Sequence, residues 1–287
     1  MLAIYKREFR SYMHNMIGPV FIAFLLLFTG VCVTIFNLFG RISSFQYAIE
    51  WTGICFIVVI PIITMRSLTE DRANRTNNLL FSLPLRIRDI IIGKFLAIVT
   101  VFAIPVALML LYPVILSAYG YMYYAASYSA ILALFLLGLA LISICMFISS
   151  LTESQVISAV ISFGVTLALL LIPLLGVLIP SNHLVSFICL ILLSLALAAL
   201  VWRMTANPGA GLITALVFII PQGIAYMASP GLYTGLFPKI LESLSLYDRF
   251  GSLISGVFDI PSVIYLLSVT FFFLYLSVQS LEKRRWS

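Results

Sequence analysis

The chain has 287 residues, 63% hydrophobic and 9% charged, with a mean hydropathy of +1.17 and a formal net charge of +6. A soluble domain carries roughly 25% charged residues, so this surface cannot be solvated by water and must be solvated by acyl chains. Backbone polar groups cannot be left bare in lipid, which restricts the spans to helices or a closed barrel. Long apolar runs without period-two alternation choose helices. The expected fold is all-α: a polytopic helical membrane protein, with residues 1–287 as a single transmembrane domain.

Residues 1–16 read as an interfacial helix. Leu2, Tyr5, Phe9, Tyr12, Met13 and Met16 fall at helical spacing, and Lys6, Arg7 and Arg10 occupy the other face. A basic anchor that only sets orientation fits the same residues. The first span is too long for the apolar core of a signal peptide and lacks a small-residue cleavage site.

About eight spans are expected, at 17–38, 46–65, 95–117, 128–149, 156–179, 183–202, 210–228 and 261–280. With both termini in the cytoplasm, every Lys and Arg except Arg41, Lys239 and Arg249 falls inside, following the positive-inside rule. The net positive charge is thus a topology signal and gives no argument for nucleic acid. Should 183–228 form a hairpin that does not cross, the count drops to six with the same end orientation.

Within the spans, Glu50 is the carboxylate that could lie below the surface, about one turn in. It is a candidate pathway or gate residue; a carboxylate reaching up to the interface, paired with Arg41, is the favoured alternative. Cys32, Cys55, Cys145 and Cys189 all lie in apolar runs without metal-ligand spacing, and no metal site is expected. No nucleophile motif or phosphate-binding glycine loop is present. The chain itself is expected to be non-catalytic and to bind no cofactor.

The longest polar interval is 66–94. Arg66-Ser-Leu-Thr-Glu-Asp-Arg72 opens it, Pro84 breaks it, and a second helix is expected from near Leu85 through Asp89 and Lys94 into the third span. Asp89 near that helix start complements the dipole. Such a hairpin can be a rigid knob pushed by a docked soluble domain, or a solvated loop whose charges only set topology. Residues 229–260 repeat apolar side chains every three to four positions, from Phe237 to Phe258. They read as an extracellular amphipathic segment, either dipping into the outer leaflet or lying on it.

Several stretches together resemble the membrane subunits of ABC-2-type ABC exporters, most closely the gliding-motility-type permeases. They are Tyr5-Lys-Arg-Glu-Phe-Arg-Ser-Tyr12, Ile60-Pro-Ile-Ile-Thr-Met-Arg-Ser-Leu-Thr-Glu-Asp-Arg72, Phe147-Ile-Ser-Ser-Leu-Thr-Glu-Ser-Gln155 and Ser280-Leu-Glu-Lys-Arg-Arg-Trp286. Asn78 and Arg86 depart from the family's pattern, and 183–228 stands as an added pair beside its usual six helices.

The resemblance implies a permease subunit in the cytoplasmic membrane, multi-pass, with N- and C-termini cytoplasmic. It implies a homodimer or heterodimer of permeases, surrounded by membrane lipid, with a cytoplasmic ABC ATP-binding subunit below. ATP and Mg would be bound by that partner, and hydrolysis would drive export of an unidentified substrate. The hairpin 66–94 would be the coupling helix, with Glu70, Asp71, Arg72, Arg75 and Thr76 as docking contacts. Ser150, Thr152, Glu153 and Gln155 would form a second contact, and 229–260 an outer gate. On the residues alone, an ion-coupled carrier acting through Glu50 and a non-transporting membrane anchor stay open.

Overall fold

Each apolar run folds as a helix, because in lipid a helix satisfies its own backbone hydrogen bonds. The structure, a computed structural model, describes residues 1–73, 87–180, 182–205, 208–228, 230–256 and 259–285. α1 (Leu2–His14) is followed by α2 (Ile17–Val33), which runs on as a π-helix over Thr34–Phe39. Then come α3 (Gln46–Thr64), α4 (Arg66–Ala73), α5 (Ile87–Met109) and α6 (Leu111–Ser117). The chain continues through α7 (Tyr124–Leu151), α8 (Gln155–Leu178), α9 (His183–Thr205) and α10 (Pro208–Ala228). A 3-10 turn (Pro230–Tyr233) leads to α11 (Leu236–Leu244), α12 (Leu246–Ile254) and α13 (Ile260–Arg285).

Among the described residues, six helices are long and apolar enough to cross a membrane: Ile17–Phe39, Gln46–Glu70, Ile87–Ser117, Tyr124–Leu151, Gln155–Leu178 and Ile260–Lys283. They coincide with six of the expected spans. The other expected pair, 183–202 and 210–228, is helical as α9 and α10 but is not among the six. α9 is 23 residues long, and among the described residues its apolar stretch is His183–Ala196. In α10, 21 residues long, Leu212–Met227 qualifies together with Gly231–Leu244, from which it is bent by 117°.

Two compact units divide the chain. Met1–Leu170 with Arg249–Ser287 form one, and Leu171–Asp248 the other. In the first, α7 is central: it packs against α3, α5 and α13, and against α4 at its C-terminal end. Lipid tails are as apolar as leucine, so the helices are held by close packing and interhelical polar contacts rather than by escape from water. Small residues line the buried face of α7, among them Ala130, Ala133, Gly138, Ala140 and Ser143. Gly138 makes room for Phe102 of α5, whose ring would lie 2.3 Å from a Cβ at that position. Phe102 also stacks on Phe135 at 5.8 Å and meets Phe56 edge-on at 5.4 Å. A buried hydroxyl pair, Thr29 and Thr52 at 3.2 Å, joins α2 to α3.

In the second unit, α9 and α10 form an antiparallel hairpin closed by aromatic rings. Phe187 stacks on Tyr226 at 4.3 Å, and Tyr233 meets both edge-on at 5.6 Å. The Tyr233 hydroxyl donates to the carbonyl of Gln222 at 2.9 Å, so its polar end is satisfied as the ring is buried.

Candidate coupling site

The connectivity gathers one set of helix ends at one end of the first unit. α2, α5 and α8 begin there, α3 and α7 end there, and α13 brings Lys283 to it. α1, α4 and the turn between α7 and α8 lie at the same end. It is therefore where the bundle's charge is concentrated.

At its centre is Lys94, two turns into α5 and only 3% exposed. Its ammonium donates to the carbonyl of Ser67 at 2.6 Å and pairs with the Glu8 carboxylate at 3.2 Å. A buried ammonium is costly unless paired and hydrogen-bonded; here one group on α5 binds α1 on one side and the root of α4 on the other. Glu8 reaches it because α1 lies closely against α5. Ile4 is buried against Ile90, and a Cβ on Gly93 would lie 3.2 Å from the Ile4 side chain. Tyr5 donates to Thr100 Oγ1 at 3.2 Å, and Tyr12 to the carbonyl of Ile63 at 3.3 Å.

The root of α4 is also held from α7. Leu68 is 4% exposed, and its backbone N–H donates to Ser149 Oγ at 3.3 Å. The Ser149 hydroxyl lies 3.4 Å from the carbonyl of Met65, the residue between α3 and α4. Thr69 donates back to the same carbonyl. α4 is thus fixed at its start by α3, α5 and α7 together, while Glu70 remains partly exposed and pairs with Arg66 at 2.7 Å across one helical turn.

Of the residues expected at the docking surface, Glu70, Asp71 and Arg72 lie on α4, in the helix expected there. Arg75 and Thr76 fall outside the described residues, as do Asn78, Pro84 and Arg86. The expected second helix begins at Ile87 with Asp89 in its first turn. In the other candidate contact, Ser150 is buried and donates to the Phe147 carbonyl at 2.6 Å. Thr152 is half-buried and lies 3.2 Å from the Ile148 carbonyl, capping the end of α7. Glu153 is exposed at the turn and Gln155 half-buried at the start of α8. Glu8 and Ser67 were not singled out from the sequence as contacts. The available signal was one acid in an otherwise basic helix and one lysine set within an apolar run.

At the opposite end, Glu50 is exposed on α3. One turn further along, Gly53 receives the ring of Phe250 from α12. Gln46 donates to the carbonyl of Ile254, and Gly256, at φ +87°, packs against Ala126 of α7. Of the periodic apolar residues, Tyr247, Phe250 and Ile254 of α12 are buried, Phe237, Ile240 and Leu241 of α11 are half-buried, and Leu244 is 55% exposed. Val257 and Phe258 lie outside the described residues.

With this arrangement in view, residues 42–184, just under half of the chain, match the family model described as ABC-2 family transporter protein. The matched segment holds α3 to α8, including Lys94 and Ser149. The match and the six apolar helices support a multi-pass membrane protein and the permease component of an ABC transporter, a family of membrane transport components associated with ATP-binding subunits. No curated protein and no solved structure matches the chain.

Proposed function

We propose that this chain is the permease subunit of an ABC exporter of the gliding-motility type. It is moved by separate ATP-binding subunits that dock on residues 66–94 from the cytoplasm. The observation that carries the reading is the anchoring of α4. A helix fixed at its root to α3, α5 and α7 by Lys94 and Ser149 transmits a push on its charged surface into three spans at once. A solvated loop has no need of such a root.

Both termini and the α7–α8 turn then face the cytoplasm, in accord with the distribution of Lys and Arg. Glu70, Asp71, Arg72, Arg75 and Thr76 form the docking surface, with Ser150, Thr152, Glu153 and Gln155 beside it. Exposed Glu153 would touch the partner directly, and the others hold the turn in place. Two permease copies pair, ATP and Mg reside in the partner, and this chain catalyses nothing. α12 on α3 is the outer closure that opens when the spans rock. Glu50, a turn from Gly53, borders that closure.

The test is co-purification with mass spectrometry of the bound partners, followed by reconstitution. A nucleotide-binding subunit is expected, and charge reversal at Glu70 and Asp71 is expected to release it or uncouple its ATPase from transport. Unchanged assembly and coupled ATPase would remove those residues from the interface. Transport by the isolated chain on an ion gradient would overturn the reading as a whole.

A further inference from the structure

α1 has three faces, where the sequence suggested two. Ile4, Glu8 and Tyr12, one turn apart, point onto the bundle. Leu2, Phe9 and Met13 form an apolar strip that Met16 extends; Leu2 is 71% and Met16 72% exposed. Lys6, Arg7, Arg10 and His14 fill the third arc, all exposed. An open groove of about 750 Å³ runs along the helix, with Tyr5, Phe9 and Met13 on one wall and Lys6, Arg10 and His14 on the other.

Two features decide what covers this surface. The apolar strip continues through Met16 into Val20, Phe24 and Leu27, the outward flank of membrane span α2. The basic arc therefore lies at the depth of lipid headgroups. The helix's acid, Glu8, is shared between Lys94 at 3.2 Å and Arg7 at 2.6 Å on the flank of that arc, so the arc keeps a net positive charge, carried on its outer part by Lys6 and Arg10. An apolar strip beside a basic arc at headgroup level is complementary to an anionic bilayer.

We propose that α1 is an anionic-lipid-binding arm, seated on phospholipid headgroups by Lys6 and Arg10 and hinged to the root of α4 through Glu8 and Lys94. Lipid charge acts on the arm, and the Lys94 ammonium, shared between Glu8 and the Ser67 carbonyl, carries its position to α4. The proposal makes no use of the ATPase partner.

The test uses the full chain in nanodiscs of phosphatidylcholine, with and without phosphatidylglycerol. Lipid retention is read by native mass spectrometry and hydrogen exchange by amide protection over 66–70. Wild type is expected to retain phosphatidylglycerol preferentially, and K6Q/R10Q to lose that preference by roughly tenfold with unchanged thermal stability, since both side chains are exposed. Phosphatidylglycerol is expected to slow exchange at 66–70 in wild type but not in Glu8→Gln. Equal retention by wild type and K6Q/R10Q overturns the lipid site. A lipid-responsive 66–70 in Glu8→Gln overturns the hinge. Loss of a co-purifying protein from K6Q/R10Q with the lipid profile intact shows a protein-binding surface instead, and also overturns the proposal.

Discussion

The hydroxyl of Thr166 lies 3.1 Å from the carbonyl of Ile57. That carbonyl is the acceptor left unpaired in α3 because Pro61, four residues on, has no N–H to donate. In water such an acceptor would be solvated; between helices in lipid it needs another donor. α8 brings one within reach, from a threonine that is itself fully buried and whose single hydroxyl proton is shared with the Ser162 and Phe163 carbonyls of its own helix at 3.0 Å. The proline in α3 and the Thr166 contact from α8 are therefore linked.

Thr166→Val should cost roughly 0.6–2 kcal/mol, read as a lower unfolding midpoint in detergent. On a Pro61→Ala background the helix regains its own N–H donor, and the same substitution should cost much less. Equal costs on the two backgrounds would show that Thr166 does not serve the Ile57 carbonyl.

The Phe250 ring occupies the space a side chain at Gly53 would need: a Cβ there would lie 2.6 Å from the ring. Gly53→Ala must displace α12 or distort α3, a strain of roughly 1–3 kcal/mol. Faster amide exchange is expected over 249–256, with little change in α5. Phe250→Leu combined with Gly53→Ala should recover most of the loss. Rescue by the smaller partner would identify a steric contact; its absence would locate the damage in α3 itself.

Glu8→Gln leaves the Lys94 ammonium buried with its charge no longer paired to that carboxylate, at a cost of roughly 3 kcal/mol. Lys94→Met removes the donor to the Ser67 carbonyl but leaves Glu8 its contact with Arg7 at 2.6 Å, and should destabilise by less. The two costs should not add, because one contact is lost in both. Lys94→Arg should not rescue, since a planar fork does not replace a point charge in a space closed to 3% exposure. Strict additivity of Glu8→Gln and Lys94→Met would deny the coupling between α1 and α5.

The helical class, six of the spans, the helix start at Gln46 and the helical run through Asp89 and Lys94 were legible in the sequence because each rests on local pattern: an apolar run, a proline, an acid in a first turn. The faces of α1 were not. Its periodicity separates apolar from basic residues but cannot show that Ile4, Glu8 and Tyr12 meet the bundle while the more apolar strip faces out. Burial in a membrane protein does not follow hydrophobicity, since lipid accepts the apolar face and the bundle takes the polar contact. For the same reason Lys94 read as one more basic residue of the hairpin. Its partners lie 86 and 27 residues away, and only the crossing of α1 over α5 brings them together. The added pair at 183–228 was visible as apolar runs and is helical as α9 and α10.

The proposed function also requires that α4 and the α7–α8 turn share one side of the membrane, opposite the loop between α6 and α7. Glu153 is exposed at the turn, and Tyr121 is 74% exposed in the loop, so both sites can carry a reporter without disturbing the core. In a background lacking Cys32, Cys55, Cys145 and Cys189, a membrane-impermeant maleimide added to intact cells should label Tyr121→Cys. Glu153→Cys should be labelled only after the cells are opened, and Glu70→Cys should follow it. Labelling of Glu153→Cys from outside would place α4 beyond reach of any cytoplasmic ATPase. The buried Lys94 joint would then be a purely structural tie between α1, α4 and α5.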